Sequence, residues 1–431
     1  MQFYSNRSHL YKISFKEALF KNLAPDGGLY LPTLIPRFTE NEIKSMQNNS
    51  LQNVAHFVLR KFIDDISEQD LWKIIKKSFT FPIPIKKIGK NFYLELFHGY
   101  TMAFKDVGVG TLARLMEHVL AKDNKKILIL TATSGDTGAA VAQAFSEVKG
   151  VKAIVLFPEN QISHLQEEQM TRVAGNIYPV AVKGTFDDCQ KFIKTIFHNN
   201  KKRFGNYELV SANSINIGRL LPQVVYYVYA SLKFQKTRLR FVVPSGNMGN
   251  ITAGIIAKKM GAPIDSFIIA CNANDPVVIY FKTGKYGPKN SVRTLSNAMD
   301  IGNPNNFERV LDLYDNNHHL FKQDITAISI SDDETIATMK KIYKDYDYII
   351  DPHTAVAVRA GERLISDSMQ DVILATASPK KFALEIKEAA GIEISEKITE
   401  NNFKKYKKRL YRSRNSTKEL LSILESIVQQ K

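Results

Sequence analysis

Apolar positions along the chain recur at two different periods, and the period changes near residue 90. Residues 1 to about 90 read as mostly helical. Val54, Phe57, Val58 and Phe62 fall on one helical face. Ser14 and Glu17 have capping-box spacing ahead of an apolar run. Asp26-Gly27-Gly28-Leu29-Tyr30-Leu31-Pro32 reads as a turn running into an extended segment. From about residue 91, short apolar runs alternate with amphipathic stretches. Residues 127–130, 153–157, 241–243, 267–270 and 372–375 suit buried strands. Between them lie helical patterns, one carrying Leu112, Ala113, Met116, Val119 and Leu120, another Val141, Ala144, Phe145 and Val148. Ser163 and Gln166 can cap a helix with Leu165, Met170 and Val173, and 186–197 is amphipathic. Residues 417–430 carry Leu420, Leu421, Leu424 and Val428, a last helix expected to pack on the body.

Strands separated by helices predict parallel sheets covered on both faces, with ligands at the carboxyl ends of the strands. The expected fold class is therefore α/β after a mostly helical start. A length of 431 residues suggests two or three domains. We read 1–90 as an N-terminal domain, 91–390 as the core with a smaller part near 106–238, and 391–431 as a basic helical segment.

Composition changes this picture little. An apolar content of 44% with 24% charged residues describes an ordinary soluble chain. No apolar run has the length of a membrane span, the first residues lack the apolar core of a secretion signal, and the two cysteines have no metal or redox spacing. A cytoplasmic protein without bound metal is expected. The net charge of +16 raises the question of nucleic acid. Only Lys404, Lys405, Lys407, Lys408, Arg409, Arg412 and Arg414 cluster, interleaved with Tyr406 and Tyr411, as a basic helix face would be. No nucleic-acid-binding signature accompanies them, so no nucleic-acid partner is expected, and the positive field would draw in a small anionic substrate.

Candidate chemistry lies at the strand-to-helix turns. Phe104-Lys105-Asp106 opens a helical pattern, placing Lys105 near a helix N-terminus, where burial and the dipole both disfavour an ammonium. A lysine kept neutral is a nucleophile, whereas a lysine beside an aspartate can also be a solvated ion pair. Thr133-Ser134-Gly135-Asp136-Thr137-Gly138 offers hydroxyls and main-chain N–H groups to a carboxylate, or is only a capped turn. Pro244-Ser245-Gly246-Asn247-Met248-Gly249-Asn250 can close around a phosphate. Ser211-Ala212-Asn213-Ser214-Ile215-Asn216-Ile217-Gly218-Arg219 ends in a forked donor for a phosphate or carboxylate, or is a polar loop beside a surface charge. In Leu374-Ala375-Thr376-Ala377-Ser378-Pro379-Lys380-Lys381-Phe382, a threonine at a strand end can meet a ring nitrogen. Together, a reactive lysine, a phosphate cradle and a carboxylate receptor match pyridoxal phosphate chemistry on an amino acid.

With these five motifs in order, the chain resembles the threonine synthases of many bacteria and fungi over essentially its whole length. The resemblance implies two parallel-sheet α/β domains with the cofactor in the cleft between them, plus an N-terminal domain. It implies conversion of O-phospho-L-homoserine and water to L-threonine and phosphate, by γ-elimination and β-addition of water. Lys105 then corresponds to the catalytic lysine that joins pyridoxal 5'-phosphate. Gly246, Asn247, Met248 and Gly249 correspond to the cofactor-phosphate loop, Thr376 to the contact with the pyridine nitrogen, and Asp136 to a residue facing the ring. Ser134 and Thr137 correspond to the loop for the substrate carboxylate, and Asn213, Ser214 and Arg219 to the substrate phosphate. A monomer or homodimer is expected. The chain departs from the family at Tyr100, usually proline, at Asn250, often aspartate, and at Ser378-Pro379-Lys380, where histidine-proline-alanine is usual. Another enzyme of the same cofactor fold, such as a dehydratase, and a silent binding protein are the alternatives.

Overall fold

The computed structural model describes residues 1–123, 125–199, 204–234, 237–394 and 406–430. The N-terminal region holds β1 (Phe3–Ser5), α1 (Phe15–Lys21), β2 (Tyr30–Pro32), α2 (Glu40–Met46), α3 (Leu51–Leu59) and α4 (Glu68–Ser78). The expected capping box is present at α1: the Ser14 hydroxyl accepts from Glu17 N–H and the Glu17 carboxylate accepts from Ser14 N–H. The glycine turn at 26–28 returns the chain so that β2 pairs antiparallel with β1, bringing Phe3, Tyr30 and Leu31 into the core.

The core begins with β3 (Ile85–Ile88) and β4 (Asn91–Glu95), followed by α5 (Lys105–Asp123), β5 (Lys126–Ala132), α6 (Asp136–Phe145), β6 (Val151–Pro158) and α7 (His164–Thr171). Next come β7 (Ile177–Lys183), α8 (Phe186–Asn199), β8 (Tyr207–Ser211), α9 (Ile217–Ser231), β9 (Leu239–Pro244), α10 (Gly249–Lys259), β10 (Ser266–Cys271) and α11 (Pro276–Thr283). The chain ends through α12 (Phe307–Leu313), α13 (His318–Asp324), β11 (Ile325–Ser329), α14 (Asp332–Tyr346), α15 (Pro352–Arg363), β12 (Gln370–Ala375), α16 (Ala383–Ala390), β13 (Tyr411–Arg414) and α17 (Thr417–Gln429).

Two sheets result. The smaller has order β13-β7-β6-β5-β8, with all pairs parallel. The larger has order β11-β10-β9-β12-β4-β3 and is parallel except where β3 pairs antiparallel with β4. Every residue of β6 and of β9 is buried, as strands covered on both faces must be. The carboxyl ends of β5 and β9 open towards one cleft, which is where each chain turn into a helix N-terminus is found.

The end of the chain belongs to the smaller sheet. Leu420, Leu424 and Ile427 of α17 join the cluster formed by Leu128, Ile154 and Val180. Lys152 donates to the carbonyls of Ile427 (2.9 Å) and Val428 (3.1 Å) at the α17 C-terminus. The basic run differs from the helix face expected for it. Lys404 and Lys405 lie outside the described residues, and 411–414 is an edge strand. Three of its cations are engaged within the chain: Lys408 with Glu167 (2.7 Å) and Glu168 (3.1 Å), Arg412 with Glu159 (3.1 Å), and Arg409 with the Gly175 carbonyl (2.6 Å).

Candidate active site

Strand β12 fixes where Lys105 stands. The loop before α5 is stitched along the end of that strand: Leu96 N–H donates to Ala375 O (2.9 Å), Phe104 N–H to Thr376 O (2.8 Å), and Ser378 N–H to Met102 O (3.0 Å). Asp106 does not pair with its neighbour Lys105. Its carboxylate accepts from Thr101 N–H at 2.8 Å and closes the turn ahead of the helix. A side chain at Gly99 would meet that carboxylate at 2.5 Å, so only glycine fits there. Lys105 is thereby the first residue of α5, with its side chain only 12% exposed.

Lys105 Nζ lies 3.0 Å from Asp136 Oδ2. Burial pushes the Lys105 amine below its ordinary range. Asp136 opposes this, and the charges of Lys381 and Arg219 add to it. Asp136 heads α6 and is itself buried. Burial alone would raise its carboxyl, but the charges of Lys105 and Lys381 hold it well below the usual range. Its other oxygen accepts from Gln166 Nε2 at 2.9 Å and lies 2.6 Å from Lys381 Nζ, an ion contact without hydrogen-bond alignment. Thr133 Oγ1 accepts from the N–H groups of Gly135 (2.9 Å) and Gly138 (2.8 Å), closing the turn on itself. The first amides of α6 remain outside the intrahelical pattern, beside Ser134 and Thr137.

Across the cleft, β9 runs through Ser245, Gly246, Asn247 and Met248 into α10. Met248 takes a left-handed conformation, with φ of 60°. A Cβ on Gly246 would sit 2.7 Å from the Met299 backbone, which forms the floor of this turn. That floor is held by His353. Its Nε2 accepts from Ala298 N–H at 3.1 Å, so Nδ1 carries the proton and donates to Asp351 at 2.7 Å. Asn250, on the first turn of α10, takes both Tyr226 and Tyr227 hydroxyls on Oδ1, each at 2.7 Å. Its Nδ2 is buried and has no hydrogen-bond partner among the described residues.

The third side comes from the start of α9. Arg219 is buried; it donates to Ala212 O (2.9 Å) and to Thr137 Oγ1 (3.2 Å). No carboxylate lies within 4 Å of it among the described residues, and burial lowers it to about 10. Ser214 Oγ accepts from Asn247 Nδ2 (3.0 Å) and Asn306 Nδ2 (2.8 Å), joining this loop to the α10 turn. Asn213 turns its amide to the Ala132 backbone, donating to the carbonyl at 2.8 Å. Arg309 is fully buried behind them, donating to Tyr30 O, Ser214 O and Ile215 O at 3.0, 3.0 and 2.7 Å.

All twelve residues singled out in the sequence line one cavity, about 830 Å³ with the open solvent at its mouth included: Lys105, Ser134, Asp136, Thr137, Asn213, Ser214, Arg219, Gly246, Asn247, Met248, Gly249 and Thr376. Sequence reasoning missed Lys381, Gln166, His353 and Asn306. Gln166 was visible only as a helix cap, a role it also fills. His353 sits inside an Asp-Pro-His capping pattern that gives no hint of the cavity. Nothing in the pair Lys380-Lys381 says which of the two lysines is buried.

The family described as "Pyridoxal-phosphate dependent enzyme" matches residues 80–376. "Threonine synthase N terminus" matches 2–79, and "Threonine synthase, C-terminal" matches 354–428. A threonine synthase of Buchnera aphidicola from Acyrthosiphon pisum is 41% identical, with 89% of this chain and 90% of the relative covered. The crystal structure of threonine synthase from Escherichia coli superposes with a TM-score of 0.92 at 35% identity, covering 99% of this chain and all of that one. A threonine synthase from Brucella melitensis, solved with pyridoxal phosphate bound, gives 0.91 at 33% identity, with both chains fully covered.

Proposed function

Since the chain belongs to the threonine synthase family of pyridoxal-phosphate enzymes, we propose that the cavity described above is where O-phospho-L-homoserine and water become L-threonine and phosphate. The observation that carries this is a buried excess of positive charge. Lys105, Lys381 and Arg219 converge with two helix N-termini, and among the described residues around them Asp136 is the single ion-paired carboxylate. Such an arrangement favours the entry of anions. A cofactor phosphate, a substrate phosphate and a substrate carboxylate supply them.

The residues present fit pyridoxal 5'-phosphate. The Gly246 turn leaves no room for a Cβ, so its main-chain amides can come close to a phosphate, and the orphaned Asn250 Nδ2 is a further donor at the same helix start. Lys105 is the amine to which the cofactor joins. Thr376, at the β12 end, would offer its hydroxyl to the pyridine nitrogen, and Asp136 would face the ring. When bound, the cofactor supplies an electron sink for the carbanions that the reaction requires.

The chain's own groups do the rest. Ser134, Thr137 and the first amides of α6 orient the substrate carboxylate. Arg219, with Ser214 and Asn213 shaping the loop, takes the phosphate that leaves from Cγ. Lys105, in its neutral form, removes the Cα proton and carries protons between carbons on the face it occupies. The expected setting is the cytoplasm, without nucleic acid. No helix among the described residues is long and apolar enough to cross a membrane.

The test is Lys105→Ala. The variant is expected to lose phosphate release from O-phosphohomoserine by at least about 10³-fold together with its visible absorbance, as follows when a covalent nucleophile is removed. Retention of full turnover by Lys105→Ala would overturn the assignment.

A further inference from the structure

Three groups behind the cofactor site form a set of two amines and one carboxylate. Lys105 Nζ lies on Asp136 Oδ2 at 3.0 Å, and Lys381 Nζ lies on Oδ1 at 2.6 Å. The Lys381 side chain has no solvent exposure at all, and Asp136 is the one carboxylate within 4 Å of it among the described residues. Lys381 reaches this position because its short helical turn, Pro379–Phe382, follows β12 directly and is pinned to the loop before Lys105 by the Ser378–Met102 hydrogen bond. The stitching that aims Lys105 therefore also aims Lys381.

Resting on the reading that Lys105 joins the cofactor, we propose that Lys381 is the standing counter-ion of Asp136, leaving Lys105 free to give up its proton and act as a nucleophile. Two oxygens facing two cations make the difference. In a Lys105–Asp136 pair alone, loss of the lysine proton would leave a carboxylate buried without a partner, which is strongly unfavourable in a dry interior. That cost would keep the proton on Lys105. With Lys381 in place, the deprotonated state still contains one complete ion pair, and Gln166 holds the shared oxygen at 2.9 Å. The Lys381 charge also repels an ammonium at Lys105, as a neighbouring cation does for other reactive lysines.

The other charged groups facing this set are accounted for. Arg219 from α9 acts in the same direction as Lys381 on Lys105. His353 from α15 accepts from Ala298 N–H on Nε2, so its neutral ring brings no charge to the set. Asp106, on the same helix as Lys105, has its carboxylate bound to Thr101. None of these forms an ion pair with Asp136; among the described residues only Lys105 and Lys381 do. The chemical step served is simple. The neutral Nζ adds its lone pair to the cofactor aldehyde carbon, a C=N bond replaces C=O, and the two amine hydrogens leave with the carbonyl oxygen as water. Lys381 touches neither reactant, so it is a positioning residue.

The experiment mixes cofactor-free protein with pyridoxal 5'-phosphate across a range of pH and follows the rise of the visible chromophore. Lys381→Met is expected to form it about tenfold more slowly than wild type near neutral pH, and to approach the wild-type rate in alkaline solution, where Lys105 loses its proton unaided. Lys381→Arg, which keeps the charge, is expected to stay within about threefold of wild type at every pH. A wild-type pH profile in Lys381→Met overturns the proposal. So does a Lys381→Arg profile that matches Lys381→Met, because shape rather than charge would then be the cause. Should Lys381→Met not fold, Lys381→Gln takes its place; if neither neutral variant folds, a Lys381→Arg profile displaced from wild type overturns the proposal. Wild-type protein that forms no chromophore at any pH overturns the reading of Lys105 itself, whereas a normal wild-type chromophore with an unmoved Lys381→Met profile overturns only the role of Lys381.

Discussion

The turn at 133–137 and the turn at 245–248 both aim a helix N-terminus into the same cavity, yet each holds its shape by different means. The first is organised by charge: Asp136 sits between two buried amines, and the backbone is closed by one threonine hydroxyl. The second carries no ionisable side chain. It is set by sterics, with Gly246 against the Met299 backbone and Met248 at positive φ, and by the bond from Ser245 N–H to Ala270 O (2.8 Å). A turn that grips with main-chain amides tolerates changes of charge and fails on changes of volume. A turn that arranges charges does the reverse, because an isosteric neutral residue strands its partners.

Deleting the charge at the first turn is expected to have the largest effect. Asp136→Asn keeps the shape but leaves Lys105 and Lys381 buried without a carboxylate. Breaking a buried pair from one side costs about 3–5 kcal/mol. Denaturant unfolding of the cofactor-free protein measures it, and a variant within about 1 kcal/mol of wild type would break the comparison. At the second turn the matching change is one of volume. Gly246→Ala places a methyl 2.7 Å from backbone that cannot swing aside. About 2–3 kcal/mol of strain is expected, read in the same unfolding experiment, with the cofactor lost on dialysis. A Gly246→Ala protein that keeps its colour through dialysis would show that the amides do not need so close an approach.

The two turns were also unequally legible in the sequence. Glycine-rich segments at the point where apolar period changes from strand to helix are local signals, and both turns carry them. The loops at Asn213 and Thr376 lack that glycine pattern but leave the ends of strands in the same way, and the structure gathers all of these at one cavity. What makes the first turn work was not local. Lys381 comes from 245 residues further along the chain, a separation that follows from its number against that of Asp136, and in sequence it is one of two adjacent lysines. The pairing of Lys105 with Asp136, rather than with adjacent Asp106, equally depends on tertiary stitching to β12. The basic run near the C-terminus was misread as a helix face. Tyr411 and Ser413 turn inward while Arg412 and Arg414 stay exposed, which is the period-two alternation of an edge strand. Four residues are too few for that period to outweigh the impression made by clustered charge.

Between these two turns stands Arg219, which permits a test on the substrate rather than on the fold. One arm reaches Thr137 of the first turn, and the guanidinium has no carboxylate partner within 4 Å among the described residues. By contrast Arg309, equally buried, has its donors taken by carbonyls and by Asn306. Arg219→Gln is expected to lower kcat/KM for O-phosphohomoserine about thirtyfold, the equivalent of about 2 kcal/mol for a charged hydrogen bond. The visible spectrum should not change. Loss of colour with activity would mean that Arg219 serves the cofactor side instead.

The smallest effect sharpens the claim that the second turn ignores charge. Directly after Met299, Asp300 lies in the layer that backs Gly246. Its carboxylate accepts from Thr294 N–H (3.0 Å), Thr294 Oγ1 (2.7 Å), Asn272 Nδ2 (2.8 Å) and Asn274 Nδ2 (3.1 Å). Burial nevertheless raises it to about 6, against the pull of those donors. The folded protein therefore holds this proton more tightly than the unfolded chain, where an aspartic acid titrates near about 3.9. The resulting stabilisation is complete below that lower value and is lost as pH rises through about 6. Allowing for solvent screening, about 1 kcal/mol is at stake. Asp300→Asn cannot titrate, so its stability relative to wild type should improve by that amount between pH 4 and pH 7. Chemical denaturation at the two pH values reads the difference. If the gap between the two proteins stays constant, Asp300 is not protonated in the native state, and the second turn rests on packing and neutral hydrogen bonds with no titrating support beneath it.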